Sequence, residues 1–209
     1  MNINLAPYRD RHYGEETFIL GKNLSGKMKG LDIVEHSSAL VSGALLPAMA
    51  GFLRQPDYVF AFEAEQLINE SAAIYGWAEK NPEGTVFLPE SVTVHTAAGS
   101  EYRQSFDTQD FSSPNVELVN FRDDQSDHPY GAYYKNLAAG MARSEFEILI
   151  MLDFAIYMGF NKIHIGVAEG SEELYEGNIG GSEKFNNHLE QISLVESREI
   201  GLDFVRIID

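Results

Sequence analysis

Apolar and polar positions alternate along this chain in two periods, short runs of apolar residues and longer segments of helical spacing. FILG (18–21), DIVEH (32–36), YVFAFEA (58–64), TVFLP (85–89), SVTVHT (91–96) and VELVN (116–120) predict strands, as do KIHIGVAE (162–169) and LDFVRIID (202–209). Between 63 and 80, Leu67, Ile68, Ala72, Ile74 and Trp77 recur at helical spacing, and Asn81-Pro82-Glu83-Gly84 is a stop signal. In the small-residue stretch SSALVSGALLPAMAGFL, Pro47 suits the first position of a helix. Further helices are predicted from about 134 to 158 and from about 182 to 200. The stretch 97–131 is polar and aromatic and reads as a long loop or lid.

Strands alternating with helices predict an α/β, three-layer Rossmann-like fold: a mostly parallel sheet with helices on both faces and ligands beyond the carboxyl ends of its strands. The loops to watch are then 21–27, 63–66 and 168–182. With 209 residues, 44% of them hydrophobic, one domain over 1–209 is expected to bury roughly 70% of its unfolded surface.

Composition narrows the chemistry. There is no cysteine, so disulfides, thiolate metal sites and a cysteine nucleophile are excluded. The 32 acidic and 15 basic residues give a net charge of −17, which opposes general nucleic-acid binding, since that needs Lys and Arg against phosphate. No apolar run reaches the length of a membrane span and the N-terminus is charged, so a cytoplasmic protein without a span is expected. The acidic residues are scattered from Glu15 to Asp209. They read as a solvated surface, or as a surface for a protein partner with a basic groove.

Gly21-Lys22-Asn23-Leu24-Ser25-Gly26-Lys27 follows a strand and satisfies G-x-x-x-x-G-K, the loop whose backbone cradles phosphates. Met28 stands where that motif places a Mg²⁺-binding hydroxyl, and Gly30 follows, so a plain glycine turn is the alternative. Glu63 and Glu65, at a strand end, suit a divalent metal such as Mg²⁺ beside a pyrophosphate, or the cap of the following helix. His128, on the long polar loop with Arg122, Asp123 and Asp124, is a candidate general base or part of a surface turn. Asp153 lies in the apolar run ILIMLDFAIYM and needs a partner on the helix's polar edge; His164, between Ile163 and Ile165, reads as structural. Neither H-x-x-x-H metal spacing nor a G-x-S-x-G elbow is present.

Phe18–Ser25, the Gln55-Pro56-Asp57-Tyr58-Val59-Phe60-Ala61-Phe62-Glu63 segment, and Leu152–Phe160 followed by Asn161-Lys162-Ile163-His164-Ile165-Gly166-Val167 carry a resemblance over about two thirds of the chain. The chain resembles a Rossmann-like group that contains bacterial lipooligosaccharide sialyltransferases and archaeal 6-hydroxymethyl-dihydropterin pyrophosphokinase-like proteins. That group shares a Gly-Asn-Gly-Pro-Ser-type nucleotide loop after the first strand, a Pro-Asp-Tyr strand ending in a carboxylate, and a helix–strand unit ending Gly-Val-Asp. The resemblance implies that Gly21, Asn23 and Ser25 line a nucleotide's phosphates and ribose, while Gly26 and Lys27 are phosphate candidates through the G-x-x-x-x-G-K pattern. It also implies that Glu63 sits at the third strand's end and that Glu169 replaces the Asp after Gly166-Val167. Lys22-Asn23-Leu24-Ser25 departs from Asn-Gly-Pro-Ser. Where the sialyltransferases have a Gly-His-Ser-like segment with a general base, this chain reads Gly180-Gly181-Ser182, and the nearest histidine is His188.

The expected function is therefore a nucleotide-dependent transferase, glycosyltransferase-like or pyrophosphokinase-like. Its donor is a nucleotide or nucleotide sugar at the loop after the first strand, with Mg²⁺ in the pyrophosphokinase branch. The rival from another class is a non-catalytic acidic interaction protein of the virus-encoded kind, a partner-binding inhibitor or DNA mimic.

Overall fold

Seven strands form one all-parallel sheet, as the alternation of strands and helices requires. The computed structural model describes residues 5–24, 38–49, 55–96, 99–107, 111–122, 141–142, 147–168, 190 and 199–207. In chain order the strands are β1 (Glu16–Leu20), β2 (Ser38–Ser42), β3 (Tyr58–Phe60), β4 (Thr85–Pro89), β5 (Ser91–His95), β6 (Glu101–Ser105), β7 (Val116–Val119), β8 (Phe121–Arg122), β9 (Met141–Ala142), β10 (Lys162–Ala168) and β11 (Gly201–Ile207). The helices are α1 (Leu46–Met49), α2 (Ala64–Asn69), α3 (Ser71–Lys80) and α4 (Glu147–Tyr157).

The main sheet has the order β11-β10-β1-β2-β3-β4-β7, with β5 and β6 as a separate antiparallel hairpin and β8 beside β9. From β1 the chain winds outward through β2, β3 and β4 to β7, then returns to the other side of β1 for β10 and β11. Because crossovers between parallel strands are right-handed, a reversal of winding direction moves the connecting helices to the opposite face. The packing agrees. Ile19, Leu40, Phe60, Phe87, Ile163 and Ile165 face α4, whereas Val59, Ala61, Val86 and Leu88 face α2 and α3 through Leu67, Ile74 and Trp77. Leu20, Ala39 and Val41 lie beside Leu45 and Met49. The fold is thus the expected three-layer, Rossmann-like α/β arrangement.

Every residue of α4 is buried, which its sequence EILIMLDFAIY anticipates, because a helix apolar on all sides must be covered on all sides. Phe154 sits 4.4 Å from the Phe87 ring and 5.3 Å from the Phe60 ring. The outer end of α4 is held by the N-terminal segment. Asp10 N–H donates to Tyr157 O (3.1 Å), His12 N–H to Met158 O (2.7 Å) and Gly14 N–H to Gly159 O (3.1 Å), satisfying carbonyls that a helix terminus leaves free. Gly159 has φ +103°.

Several local expectations are corrected. The small-residue stretch opens with a strand, β2, and the helix after it places Pro47 second, behind Leu46. The helical segment 63–80 is two helices broken at Glu70. Within the stretch 97–131, VELVN is the expected strand, β7, at the edge of the main sheet, but β6, which pairs with β5, was expected as loop. The helix expected from 134 is described only over α4, and Met141–Ala142 within it is a strand. Asp153 is fully buried and partnered rather than on a polar edge. The strand expected at 32–36, the helix expected at 182–200 apart from its C-terminal residues and Glu190, and the loop remnant 123–131 lie outside the described residues. Among the described residues, no helix is long and apolar enough to cross a membrane.

Candidate functional site

In a parallel sheet all carboxyl ends lie along one edge, and the ligand crevice falls where strand order reverses. Here that point is between β1 and β10, whose pairing runs from Glu16 opposite Lys162 to Leu20 opposite Gly166. Beyond Leu20 the chain enters Gly21 and a tight 3-10 turn, Lys22–Leu24, closed by Leu24 N–H donating to Gly21 O at 3.1 Å. Leu24 anchors the turn in the core with Leu20, Val41 and Leu45. The turn lies against β10 and against the Gly43–Leu45 turn that follows β2. Three strand ends therefore converge around Lys22.

Lys22 donates to both carboxylate oxygens of Glu63, at 2.5 Å and 2.7 Å. Glu63 is the N-cap residue of α2, and its own N–H donates to Gln66 Oε1 at 3.4 Å, the return half of a capping arrangement. Of the two readings of Glu63, the cap of α2 is the one seen here, and its carboxylate is engaged by Lys22. The ion pair is half exposed, with 53% of the lysine side chain and 33% of the glutamate side chain accessible. Such a pair contributes little to stability and exchanges readily with another anion.

Beneath this pair lies a buried polar set. Gln66 Nε2 donates to Ser42 Oγ at 3.0 Å and to Glu147 Oε1 at 2.8 Å, and Ser42 Oγ donates to Glu147 Oε1 at 3.1 Å. Ser42 ends β2, Gln66 is in the first turn of α2 and Glu147 opens α4, so one residue from each of three elements meets at the same edge of the sheet. Burial pushes the Glu147 carboxyl above its usual range; the hydrogen bonds from Gln66 and Ser42 oppose the rise, Glu63 nearby adds to it, and Lys22 counters it. Its second oxygen, Oε2, is buried and has no hydrogen-bond partner among the described residues.

The residues anticipated from sequence are distributed as follows. Gly21, Glu63 and the backbone of Asn23 are at this site. Glu65 is exposed in the first turn of α2, and its carboxylate is not part of the Lys22 pair. Among the described residues, no group of three or more His, Asp or Glu is arranged to hold a metal. Ser25, Gly26, Lys27, His128, Glu169 and His188 lie outside the described residues. Lys22, Ser42, Gln66 and Glu147 were missed as site residues. Glu147 offered one signal, an acid at the head of the apolar run ILIMLDFAIYM, but nothing in the sequence joined it to Ser42 or Gln66.

His164 is structural, as its alternation with Ile163 and Ile165 indicates. It is buried, stacked on Phe18 with centroids 4.7 Å apart, with Nε2 3.1 Å from Glu16 Oε1 and Nδ1 3.6 Å from Asp203 Oδ2. These are electrostatic contacts, because neither ring nitrogen achieves hydrogen-bond geometry. At the opposite edge of the sheet, His12 joins Glu15 Oε2 (2.8 Å) to the Tyr58 hydroxyl (2.6 Å) and stacks on Phe160. Burial pushes the Tyr58 phenol up to about 12, so it stays protonated while sharing its hydrogen bond with the imidazole. This trio ties the N-terminal segment to β3, at the strand ends where an α/β sheet does not bind ligands.

No family model matches the chain, and no curated protein is significantly similar to it. Fold and site together define a Rossmann-like α/β protein with a buried polar set beyond the carboxyl ends of β2 and β3, beneath the half-exposed Lys22–Glu63 pair.

Proposed function

We propose that the protein is a nucleotide-dependent transferase whose donor, a nucleotide or nucleotide sugar, binds at the carboxyl ends of β1, β2 and β10. The observation that supports this reading is the position of the Gly21–Leu24 turn, at the point of strand-order reversal in an all-parallel sheet, with Lys22 reaching from that turn to Glu63 beyond the end of β3. In this reading the donor's phosphates take over Lys22 from Glu63, and the lysine neutralises charge that develops on the leaving phosphate. Gly21 and Asn23 offer backbone to the phosphates, and Glu63, once released, is free for a ribose hydroxyl or for Mg²⁺. The cation belongs to the pyrophosphokinase-like branch; a glycosyltransferase-like activity dispenses with it.

A thermal-shift panel of nucleoside di- and triphosphates, nucleotide sugars and NAD, with and without Mg²⁺, tests the reading. A ligand at 100 times its Kd stabilises the fold by about 2.7 kcal/mol, and Lys22→Met is expected to abolish the shift for phosphate-bearing ligands. A wild-type protein that responds to none of them refutes the transferase reading and favours the acidic interaction protein.

A further inference from the structure

We propose that Glu147 is a ligand-binding acid whose unbonded carboxyl oxygen carries the proton and donates a hydrogen bond to an uncharged acceptor on the bound nucleotide, a base carbonyl, a ring nitrogen or a sugar hydroxyl. The inference rests on the nucleotide reading above and adds a named contact to it.

The hydrogen-bond inventory of the buried set carries the inference. Gln66 Nε2 has two N–H groups; one goes to Ser42 Oγ and the other to Glu147 Oε1. Gln66 Oε1 is occupied by the Glu63 N–H. Ser42 Oγ sends its one hydrogen to Glu147 Oε1 and accepts from Gln66 and from the Ala44 N–H at 3.4 Å. All donors of the set therefore converge on Oε1, and none is left for Oε2, which is buried and unbonded.

An ionised carboxylate in this position would leave half of its charge without a donor, away from water and beside Glu63. A neutral acid removes that charge, and with Oε1 saturated by two donors the proton belongs on Oε2. A buried O–H then lacks only an acceptor, and among the described residues none supplies it. Among the described residues, the charged groups facing Glu147 are Glu63 from the head of α2 and Lys22 from the end of β1. A phosphate is drawn outward to the half-exposed Lys22, and a second anion next to Glu63 is repelled. The buried position is left for an uncharged acceptor, so the two residues divide the ligand between them: Lys22 meets the phosphates and Glu147 meets the nucleoside or sugar.

Two variants separate the possible roles. Glu147→Gln keeps the shape and the acceptor oxygen and offers an N–H where the acid offers O–H; Glu147→Met keeps the bulk and offers no donor. Titration calorimetry with CTP, UDP, ADP and GDP at pH 7 is expected to show Glu147→Gln binding within about threefold of wild type and Glu147→Met about tenfold weaker, the size of one hydrogen bond. Wild-type affinity is expected to fall as pH is raised through the titration of Glu147, while Glu147→Gln remains flat. An infrared difference spectrum of unliganded wild type minus Glu147→Gln at pH 7 is expected to contain a protonated-carboxyl band, which needs no ligand and no Met variant.

Absence of that band overturns the proposal. Equal loss of binding in both variants also overturns it, because Glu147 would then act as a carboxylate acceptor. In both cases wild-type binding leaves the nucleotide reading intact. Silence of the wild-type protein toward these four nucleotides and toward the triphosphates, nucleotide sugars and NAD of the thermal-shift panel refutes the nucleotide acceptor and the reading beneath it, whatever the spectrum shows.

Discussion

At Gly159 the backbone leaves little room for change. Its φ of +103° is a conformation that side-chain-bearing residues adopt at a cost of about 1–3 kcal/mol. A Cβ added there would lie 2.8 Å from Tyr13 N, 2.9 Å from Tyr13 Cα and 3.1 Å from Asp10 Cα. These are backbone atoms, pinned on either side by the His12 and Gly14 N–H bonds to Met158 O and Gly159 O, so no side-chain rotation relieves the contact. Overpacking of this kind costs about 1–3 kcal/mol. The narrower unfolded ensemble of alanine returns only about 0.4–1 kcal/mol. Gly159→Ala is therefore expected to lose about 2–5 kcal/mol, a large share of the ~5–15 kcal/mol that holds a domain folded. Gly14 supplies the control, with φ +81° and nothing within 4 Å of its added Cβ. Gly14→Ala carries the conformational strain without the collision. Urea unfolding followed by the single tryptophan, Trp77, which is buried between α3 and the sheet, measures both. Equal losses in the two variants would refute the claim that the N-terminal segment is rigidly docked on the end of α4.

Two further outcomes are expected. Asn115 Nδ2 lies within hydrogen-bond reach of Gly84 O (2.8 Å), Asn81 O (2.9 Å) and Ala78 O (3.2 Å), its two N–H groups shared among the three carbonyls, gathering the end of α3 and the turn into β4; Asn115→Ala should lose about 1–3 kcal/mol in the same unfolding experiment. For Glu147, the folded pKa lies above the usual 4.5, so the folded state holds a proton that the unfolded chain has released. Stability is then lost as pH rises from that value toward the folded pKa, with a slope of at most about 1.4 kcal/mol per pH unit. Glu147→Gln lacks that loss, so its stability relative to wild type should improve between pH 4.5 and 7; a constant difference would mean that Glu147 is ionised when folded.

Strands whose burial is continuous were legible in the sequence. TVFLP matches β4 residue for residue because all five positions are buried in the middle of a parallel sheet. β2 was hidden although four of its five positions are buried: SALVS mixes serines with apolar residues and acquires its strand character from its neighbours β1 and β3. β6, EYRQS, is exposed throughout and is a strand only because β5 supplies its hydrogen bonds. The glycine loop after β1 and the carboxylate after β3 could be read from turn chemistry at strand ends. Glu147 could not be joined to its partners, since Gln66 and Ser42 are 81 and 105 positions away. No local pattern encodes a contact of that separation.

The pairing of β1 with β10 also governs how the protein must be made. β1 is an inner strand of the finished sheet, yet one of its two neighbours is the tenth strand in chain order. A nascent chain that has completed β2 to β7 presents Phe18, Ile19 and Leu20 along an open strand edge, with the surface under α4 bare. That edge is a template for pairing with a second chain, and it stays open until synthesis passes Ala168, seconds later at ribosomal speed. Misassembly during production should therefore concentrate in truncated chains that stop before β10, and co-expression of such fragments should trap one another through β1.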